Sequence, residues 1–525
     1  MLRSSKTLGK FVYLEAVNLQ ISTEKPFYIG LQGLGFRRFT ALFSSTSFAK
    51  PITRDCLFLN QDVFAASSVK DFPCRSVVFG GYLNRAHGTL LMKVSSRMAH
   101  NLPNRHVSDL ATLNLSAHKI FRELLTEELL TLVKAFLSKK HEVRIVGGAV
   151  RDILLSRHLP KDIDLATTAT PDEMIKVFME NEIRYIETGL QHGTLTAHMN
   201  GHNFEITTLR IDTNHDGRRA VVEFTNDWKL DAERRDLTIN AMSIDFDGNL
   251  YDYFGGVEDL KAKHVRFVGD PEKRIREDYL RILRYFRFYG RISETEDDHV
   301  KSTLEVIKKC SSGLKNVAVE RVWTELSRIV TAHFAPSLLK IMYELGVAEN
   351  IGLPPCTQKH LEEFEYVWNH GHAHRLEPVT ILMTLVDTVD EAERVARSLK
   401  LSSAERNLGK FIVTHRMIHN NEDIKKPYKD ILASCTNIKA IAVLYKHVNQ
   451  LLLYQGMEDL ADEISNWKPP EFPITGNDIK NAGVKPGPAL GRVLHELRNI
   501  WMESYYELNK DELLEKVEHI KTKLH

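Results

Sequence analysis

The chain is poor in cysteine, in net charge and in long apolar runs. Its five cysteines, Cys56, Cys74, Cys310, Cys356 and Cys435, are scattered over 525 residues, form no CxxC pair and leave one over after any pairing. That excludes a zinc or disulfide framework and reads as reduced intracellular thiols. No stretch approaches the roughly 18 uncharged apolar residues of a spanning helix, the best run being 76–83, so no membrane partner is expected. With 70 Lys+Arg against 69 Asp+Glu the formal net charge is +1, which excludes a uniformly basic nucleic-acid coat but leaves room for local basic faces. Glycine (28) and proline (17) are too few for a collagen-like or low-complexity chain. What remains is ordinary globular composition at a length of about three domains.

The first hundred or so residues differ from the rest. From Lys25 to Arg54 there is no Asp or Glu, while Arg37, Arg38, Lys50 and Arg54 sit among Phe, Leu and Ser/Thr. This is the composition of a mitochondrial transit peptide, so residues 1–114 are assigned to a transit peptide or disordered extension. A second acid-free stretch, 72–108, holds Met92 and Met98, internal starts from which a cytoplasmic or nuclear pool is expected.

From about Leu115 helical periodicity feeds a short β-branched run, 143–146, closed by Gly147-Gly148. Further strand signals lie at 194–199, 204–209 and 242–246, giving a small mixed-sheet head over 115–260. Beyond Glu272 strand signals almost vanish. Amphipathic segments at 275–289, 317–330, 359–368, 391–399 and 439–454 predict an all-helical remainder, divided into a neck (261–340) and a body and tail (341–525). The fold class is α+β.

The strongest chemical signal is Gly147-Gly148-Ala149-Val150-Arg151-Asp152 followed by Asp162-Ile163-Asp164. Carboxylates at i and i+2 on a strand share a face and can ligate hard cations such as Mg²⁺. The glycine pair lets backbone N–H groups approach a phosphate at a helix N-terminus, with Arg151 as a charged clamp. These are the parts of a metal-assisted phosphoryl or nucleotidyl transfer site.

The run 147–171, GGAVRDILLSRHLPKDIDLATTATP, resembles the class II tRNA nucleotidyltransferases, the CCA-adding enzymes, and their poly(A) polymerase relatives in the DNA polymerase beta superfamily. The resemblance implies that Asp162 and Asp164 hold Mg²⁺, and that Glu205, in the run NFEITTLR, completes a catalytic triad of carboxylates. It also makes Gly147, Gly148, Arg151 and Asp152 nucleotide-binding. Arg234-Arg235-Asp236-Leu237-Thr238-Ile239-Asn240-Ala241 resembles the family's RRDxxxNA motif. Arg235 there is a phosphate ligand, with Asp236 and Asn240 expected four apart on one helix face, orienting it and the ribose. Asp252 to Leu260 is similar to a joining segment and is given a hinge or packing role.

In Glu277-Asp278-Tyr279-Leu280-Arg281, Asp278, Arg281, Arg284 and Arg287 recur at i+3 steps, predicting one helical stripe facing ligand or solvent, backed by Leu280, Leu283 and Phe286. Cytosine and adenine present an amino donor beside a ring-nitrogen acceptor, whereas uracil and guanine present a carbonyl beside an N–H. An accepting Asp278 and a donating Arg281 therefore complement C and A and oppose U and G. The resemblance implies the same: an EDxxR motif that selects CTP and ATP without a nucleic-acid template, with Arg284 and Arg287 on nucleotide-contacting positions.

The polar stretch 211–227 reads as a flexible loop. A Gly/Pro-rich turn before the helix 492–501 brings Lys485, Arg492 and Arg498 together as candidate tRNA contacts. His370, His372 and His374 lack a carboxylate or Cys partner and are not read as a metal site; His215-Asp216 is not read as a phosphohydrolase motif. The resemblance thus implies a CCA-adding enzyme acting on the tRNA 3′ acceptor end with CTP and ATP, needing no obligate protein partner. A poly(A) polymerase or a CC- or A-only enzyme is the alternative within enzymes, and a catalytically inactive tRNA- or RNA-binding protein the alternative outside them. The transit segment and the lack of a long Arg-rich tail favour CCA addition.

Overall fold

The computed structural model describes residues 113–155, 159–160, 163–215, 220–370, 375–418 and 422–523, together with six short strands in the first hundred residues. The chain forms two compact units, Met1–His106 and Val107–His525. In the first, β1 (Val17–Gln20), β6 (Thr89–Lys93) and β5 (Gly80–Asn84) pair antiparallel in that order, as do β2 (Phe27–Ile29), β3 (Phe39–Ala41) and β4 (Phe64–Ala65). Apart from these strands and Leu113–Asn114, which join the sheet of the second unit, the segment assigned to a transit peptide lies outside the described residues.

The second unit begins with an eight-stranded mixed sheet. Its strands are β7 (Leu113–Asn114), β8 (Val143–Val146), β9 (Asp164–Thr167), β10 (Arg184–Gly189), β11 (Thr194–Met199), β12 (His202–Thr208), β15 (Ser243–Ile244) and β16 (Asn249–Tyr251), in the order β10-β11-β12-β9-β8-β15-β16-β7. Only β12 and β9 run parallel. Alternation decides which residue goes where: Ile145, Leu165 and Ile206 point into a core shared with Leu129, Leu132, Phe136 and Phe178 of the helices Glu127–Ser138 and Pro171–Glu180, while Val146 and Ala166 meet Leu209 and Trp228 on the other face. The second helix starts at a capping box between Thr170 and Glu173 with Pro171 at its first position. Buried Arg144 survives inside β8 because its guanidinium lies 4.0 and 3.7 Å from the Trp228 and Tyr251 ring centroids and donates to Glu142.

The stretch read as a loop over 211–227 is instead a hairpin, β13 (Arg210–His215) with β14 (Ala220–Phe224), followed by the helix Trp228–Glu233 capped by Asp227. Val221, Val222 and Phe224 supply strand propensity that the polar composition obscured. Residues 216–219 lie outside the described residues.

Helices follow from Gly256–Ala262 onward, and one apolar core runs through residues 237–464, with Ile282, Phe286, Leu326, Leu338, Leu382 and Leu452 among its buried members. A separate small core, including Ile479, Leu497, Trp501 and Val517, organises the C-terminal helices. The segment predicted as one helix over 275–289 is two, Pro271–Glu277 and Arg281–Ile292. Asp278 between them is extended (φ −152°, ψ 105°), and its Oδ1 accepts from the Leu280 N–H at 3.1 Å, a local bond that competes with helix continuation. Among the described residues no helix is long and apolar enough to cross a membrane, and Cys310, Cys356 and Cys435 are free thiols. His370 ends the helix Gln358–His370, while His372 and His374 lie outside the described residues.

The segment given a hinge or packing role is packed. The Asp252 carboxylate accepts from the N–H groups of Phe254, Gly256 and Val257 at 3.2, 2.9 and 2.8 Å, and a Cβ on Gly256 would stand 2.3 Å from the Thr238 carbonyl oxygen. Gly256→Ala is therefore expected to cost on the order of 3 kcal/mol through overpacking, read as a lower Tm; an unchanged Tm would show that this joint gives way.

Candidate active site

The parallel pairing of β12 with β9 puts Glu205 directly opposite Asp164, side by side on the sheet. Burial, and next the charge of Asp164, push the Glu205 carboxyl above its ordinary range. A carboxyl whose ionisation is opposed by a neighbouring carboxylate suits a divalent cation. Asp162 lies outside the described residues, and among those described there is no group of three metal-capable side chains. A carboxyl raised in the fold destabilises it above the unfolded pKa of about 4.3. In chelator at pH 7, Glu205→Gln should thus melt at or above the wild-type temperature, with the difference vanishing near pH 4. A lower Tm at pH 7 would mean that Glu205 makes a stabilising contact.

Gly147 ends β8 and opens the helix Gly148–Leu154 with φ +70°, a conformation that favours glycine, and a Cβ there would stand 3.1 Å from Arg235 Nη1. Arg151 projects from that helix into the interior at 3% exposure. It donates to Asn240 and to Asp152 (3.1 Å) and stands 4.8 Å from the Phe288 ring centroid. Burial draws its pKa down to about 10, against the pull of Asp152, leaving it charged at neutral pH. Asp152 also accepts from Arg291 at 2.9 and 3.1 Å, tying the Gly148–Leu154 helix to the Arg281–Ile292 helix.

The predicted single helix through the Arg-Arg-Asp block is not formed. The helix Trp228–Glu233 ends before it, Leu237 is extended and bridges to Phe267, and Thr238–Asn240 is a 3₁₀ turn. The turn still brings Asn240 Nδ2 to Asp236 Oδ1 at 3.3 Å. Asp236, buried, accepts from Arg284 Nε at 2.6 Å through its other oxygen. A continuous polar chain thus runs Arg291, Asp152, Arg151, Asn240, Asp236, Arg284. Arg235, with its side chain about one-fifth exposed, is anchored to Asp231 at 3.1 Å.

Arg281 and Asp278 do not share the predicted helical stripe. Arg281 is buried and donates to the Arg274 and Arg234 carbonyls (2.9 and 2.6 Å) and to Glu277 (2.6 Å), while Asp278 bonds Arg321 at 2.7 Å. Arg284 and Arg287 follow as predicted on one helix, with Arg287 held by both oxygens of Glu325.

Comparison with known proteins decides the family. A family model described as the poly A polymerase head domain matches residues 143–266, and one described as the probable RNA and SrmB-binding site of polymerase A matches 300–355. The mitochondrial CCA tRNA nucleotidyltransferase 1 of Danio rerio is 45% identical over 410 residues, covering 77% of this chain and 93% of its own. The Homo sapiens protein of the same name is 45% identical over 433 residues, covering 82% and 97%. The chain belongs to the CCA tRNA nucleotidyltransferase family. The fold agrees: the Bacillus stearothermophilus CCA-adding enzyme, solved in complex with CTP, superposes with a TM-score of 0.58 at 23% identity over 77% of this chain and 98% of its own.

In this family member the head match spans the whole set from Gly147 to Asn240, while Asp278 to Arg287 fall between the two matched segments. Toward the C-terminus Lys485 and Arg492 are exposed on either side of Gly487, whereas Arg498 is partly spent on structure, donating to the Ala433 carbonyl at 3.0 Å and lying 4.5 Å from the Phe472 ring centroid. Four charged residues at the site escaped the sequence reading: Asp231, Arg291, Arg321 and Glu325. Glu325 carried a signal, being a charge at a core position between Val322, Leu326 and Ile329.

Proposed function

We propose that this chain adds C, C and A, from CTP and ATP, to the 3′ end of tRNA without a nucleic-acid template and with release of pyrophosphate. The observation that carries the chemistry is the in-register pair Asp164 and Glu205 on neighbouring parallel strands. Asp162 and Asp164 would hold Mg²⁺, with Glu205 as third carboxylate. A divalent ion held there would lower the pKa of the tRNA 3′-hydroxyl and neutralise triphosphate charge. The 3′-oxygen attacks the α-phosphorus in line, a new P–O bond forms, and the bond to the β-phosphate breaks. Gly147 and Gly148 leave the phosphates room at the helix N-terminus. Arg235, partly exposed, takes a phosphate oxygen, and buried Arg151 adds positive field from below.

Base choice falls to Asp278 and Arg281. Of the five N–H donors of a guanidinium, three on Arg281 are spent on Arg274, Arg234 and Glu277, which fixes its plane and leaves two for a ring nitrogen. Asp278 accepts the exocyclic amino group. Arg284 and Arg287 complete the nucleotide site, the exposed Lys485 and Arg492, with Arg498, contact the tRNA backbone, and the chain divides into head (115–260), neck (261–340), and body and tail (341–525). The protein works in mitochondria, addressed by the acid-free N-terminal segment, with a cytoplasmic or nuclear pool started at Met92 or Met98.

The test is incubation of the protein with Mg²⁺, each labelled nucleotide and a tRNA transcript ending at the discriminator base. Two CMPs followed by one AMP support the proposal. Long AMP tails would make the chain a poly(A) polymerase, and tRNA binding without incorporation would leave an inactive binding protein.

A further inference from the structure

The helix Val319–Ile329 lies outside every motif singled out in the sequence, yet it presents Arg321 and Glu325, four apart and so on one face, to the segment 278–287. Arg321 Nη2 donates to Asp278 Oδ2 at 2.7 Å, while Asp278 Oδ1 is held by the Leu280 N–H at 3.1 Å. One turn on, Glu325 grips Arg287 at 2.9 and 2.8 Å and stands 3.7 Å from Arg284. The face is thus the charge complement of what it meets: a cation against Asp278, an anion against two arginines. Glu325 is explained by packing, since half-buried guanidinium groups need a counter-charge. Arg321 is not. Its side chain is 50% exposed, and an exposed ion pair contributes little to stability.

What Arg321 does contribute is direction. An aspartate carboxylate on two free torsions can turn its oxygens anywhere on a cone; held at one oxygen by a backbone N–H and at the other by a guanidinium, its plane is set before a nucleotide arrives. We propose that Arg321 is a positioning residue for base selection, holding the Asp278 carboxylate so that an oxygen lone pair meets the amino group of cytosine or adenine. This rests on the reading of Asp278 as the base acceptor given above.

Cytosine and adenine use the Asp278 hydrogen bond, whereas uracil and guanine place a carbonyl there and never gain from it. Loss of Arg321 should therefore weaken the two correct nucleotides and leave the two wrong ones where they were.

The experiment measures KM and kcat of the full-length protein for all four nucleotides, on tRNA ending at the discriminator base and on tRNA ending in CC. Arg321→Met keeps the aliphatic stem and removes the charge. Its KM for CTP and ATP should rise about two- to fivefold, a range set by an ion-pair-sized orienting effect, while UTP and GTP kinetics and Tm stay put. Arg321→Lys should recover most of the loss, and Asp278→Ala with Arg321→Met should lose no more than Asp278→Ala alone. Equal losses for all four nucleotides, or unchanged discrimination in Arg321→Met beside selective loss in Asp278→Ala, would overturn the inference. Should Asp278→Ala itself keep full discrimination, the base-acceptor reading fails, and the inference with it.

Discussion

Asp164→Asn is expected to lower CMP and AMP incorporation by at least about a thousandfold while leaving the melting temperature within about 2 °C. The loss follows from the chemistry asked of the pair. A metal at Asp164 is proposed to supply several kcal/mol of transition-state charge stabilisation, and each 1.36 kcal/mol is a factor of ten. The amide keeps the size of the side chain but neither its charge nor its affinity for a hard cation. Stability should hold because Asp164 is exposed at the start of its strand, and exposed substitutions stay within about 0.5 kcal/mol. Single-turnover AMP incorporation on tRNA ending in CC checks the first half and a thermal melt the second. Activity within tenfold of wild type would place the metal elsewhere.

The largest stability effect is expected at Asp236→Asn, at about 3–5 kcal/mol, the range for breaking a buried ion pair by removing one partner. Asp236 is 7% exposed and joins Arg284 at 2.6 Å to Asn240 at 3.3 Å, so its loss leaves Arg284 with the longer contact to Glu325 at 3.7 Å and cuts the chain between Arg151 and Arg284. Burial alone would raise its carboxyl, but Arg284, with the Leu237 N–H and Asn240, outweighs burial and holds it below the ordinary range. The sign then fixes the pH dependence. A depressed carboxylate contributes stability that is fully present above the unfolded pKa of about 3.9 and is lost as pH falls through the folded value. The gap between wild type and variant in denaturant melts should be wide and flat from pH 5 to 8 and should close below about pH 4. A gap that stayed constant to pH 3 would mean the loss is steric, not electrostatic.

Part of this site was legible because its parts are local. Gly147-Gly148 ahead of a helix and Asp164 on a strand are each marked within a few residues, whereas Glu205 was reached through the resemblance, and it is the parallel register of β12 on β9 that sets it opposite Asp164. The arginines were legible as residue types but not in their attachments. Arg284 finds Asp236 across 48 positions, and Asp278 finds Arg321 across 43, pairings that no periodicity encodes. The helix break at Asp278 was hidden because apolar spacing continues through it; only the side chain's own bond to Leu280 interrupts the backbone. The hairpin of β13 and β14 was hidden for the opposite reason: its strands are too polar to alternate against a core, and Phe224 is exposed. The fold class needed none of these details, since strand signals before 260 and helical periodicity after it sufficed.

The central claim is that the protein itself, and no nucleic acid, chooses the nucleotide. Equilibrium binding of CTP, ATP, UTP and GTP to the full-length protein with Mg²⁺ and no RNA tests it directly. The account predicts that CTP and ATP bind at least about tenfold more tightly than UTP and GTP, one hydrogen-bond mismatch being worth about 1.4 kcal/mol or more, and that Asp278→Ala erases the difference. Equal binding of all four nucleotides by the wild-type protein would contradict it.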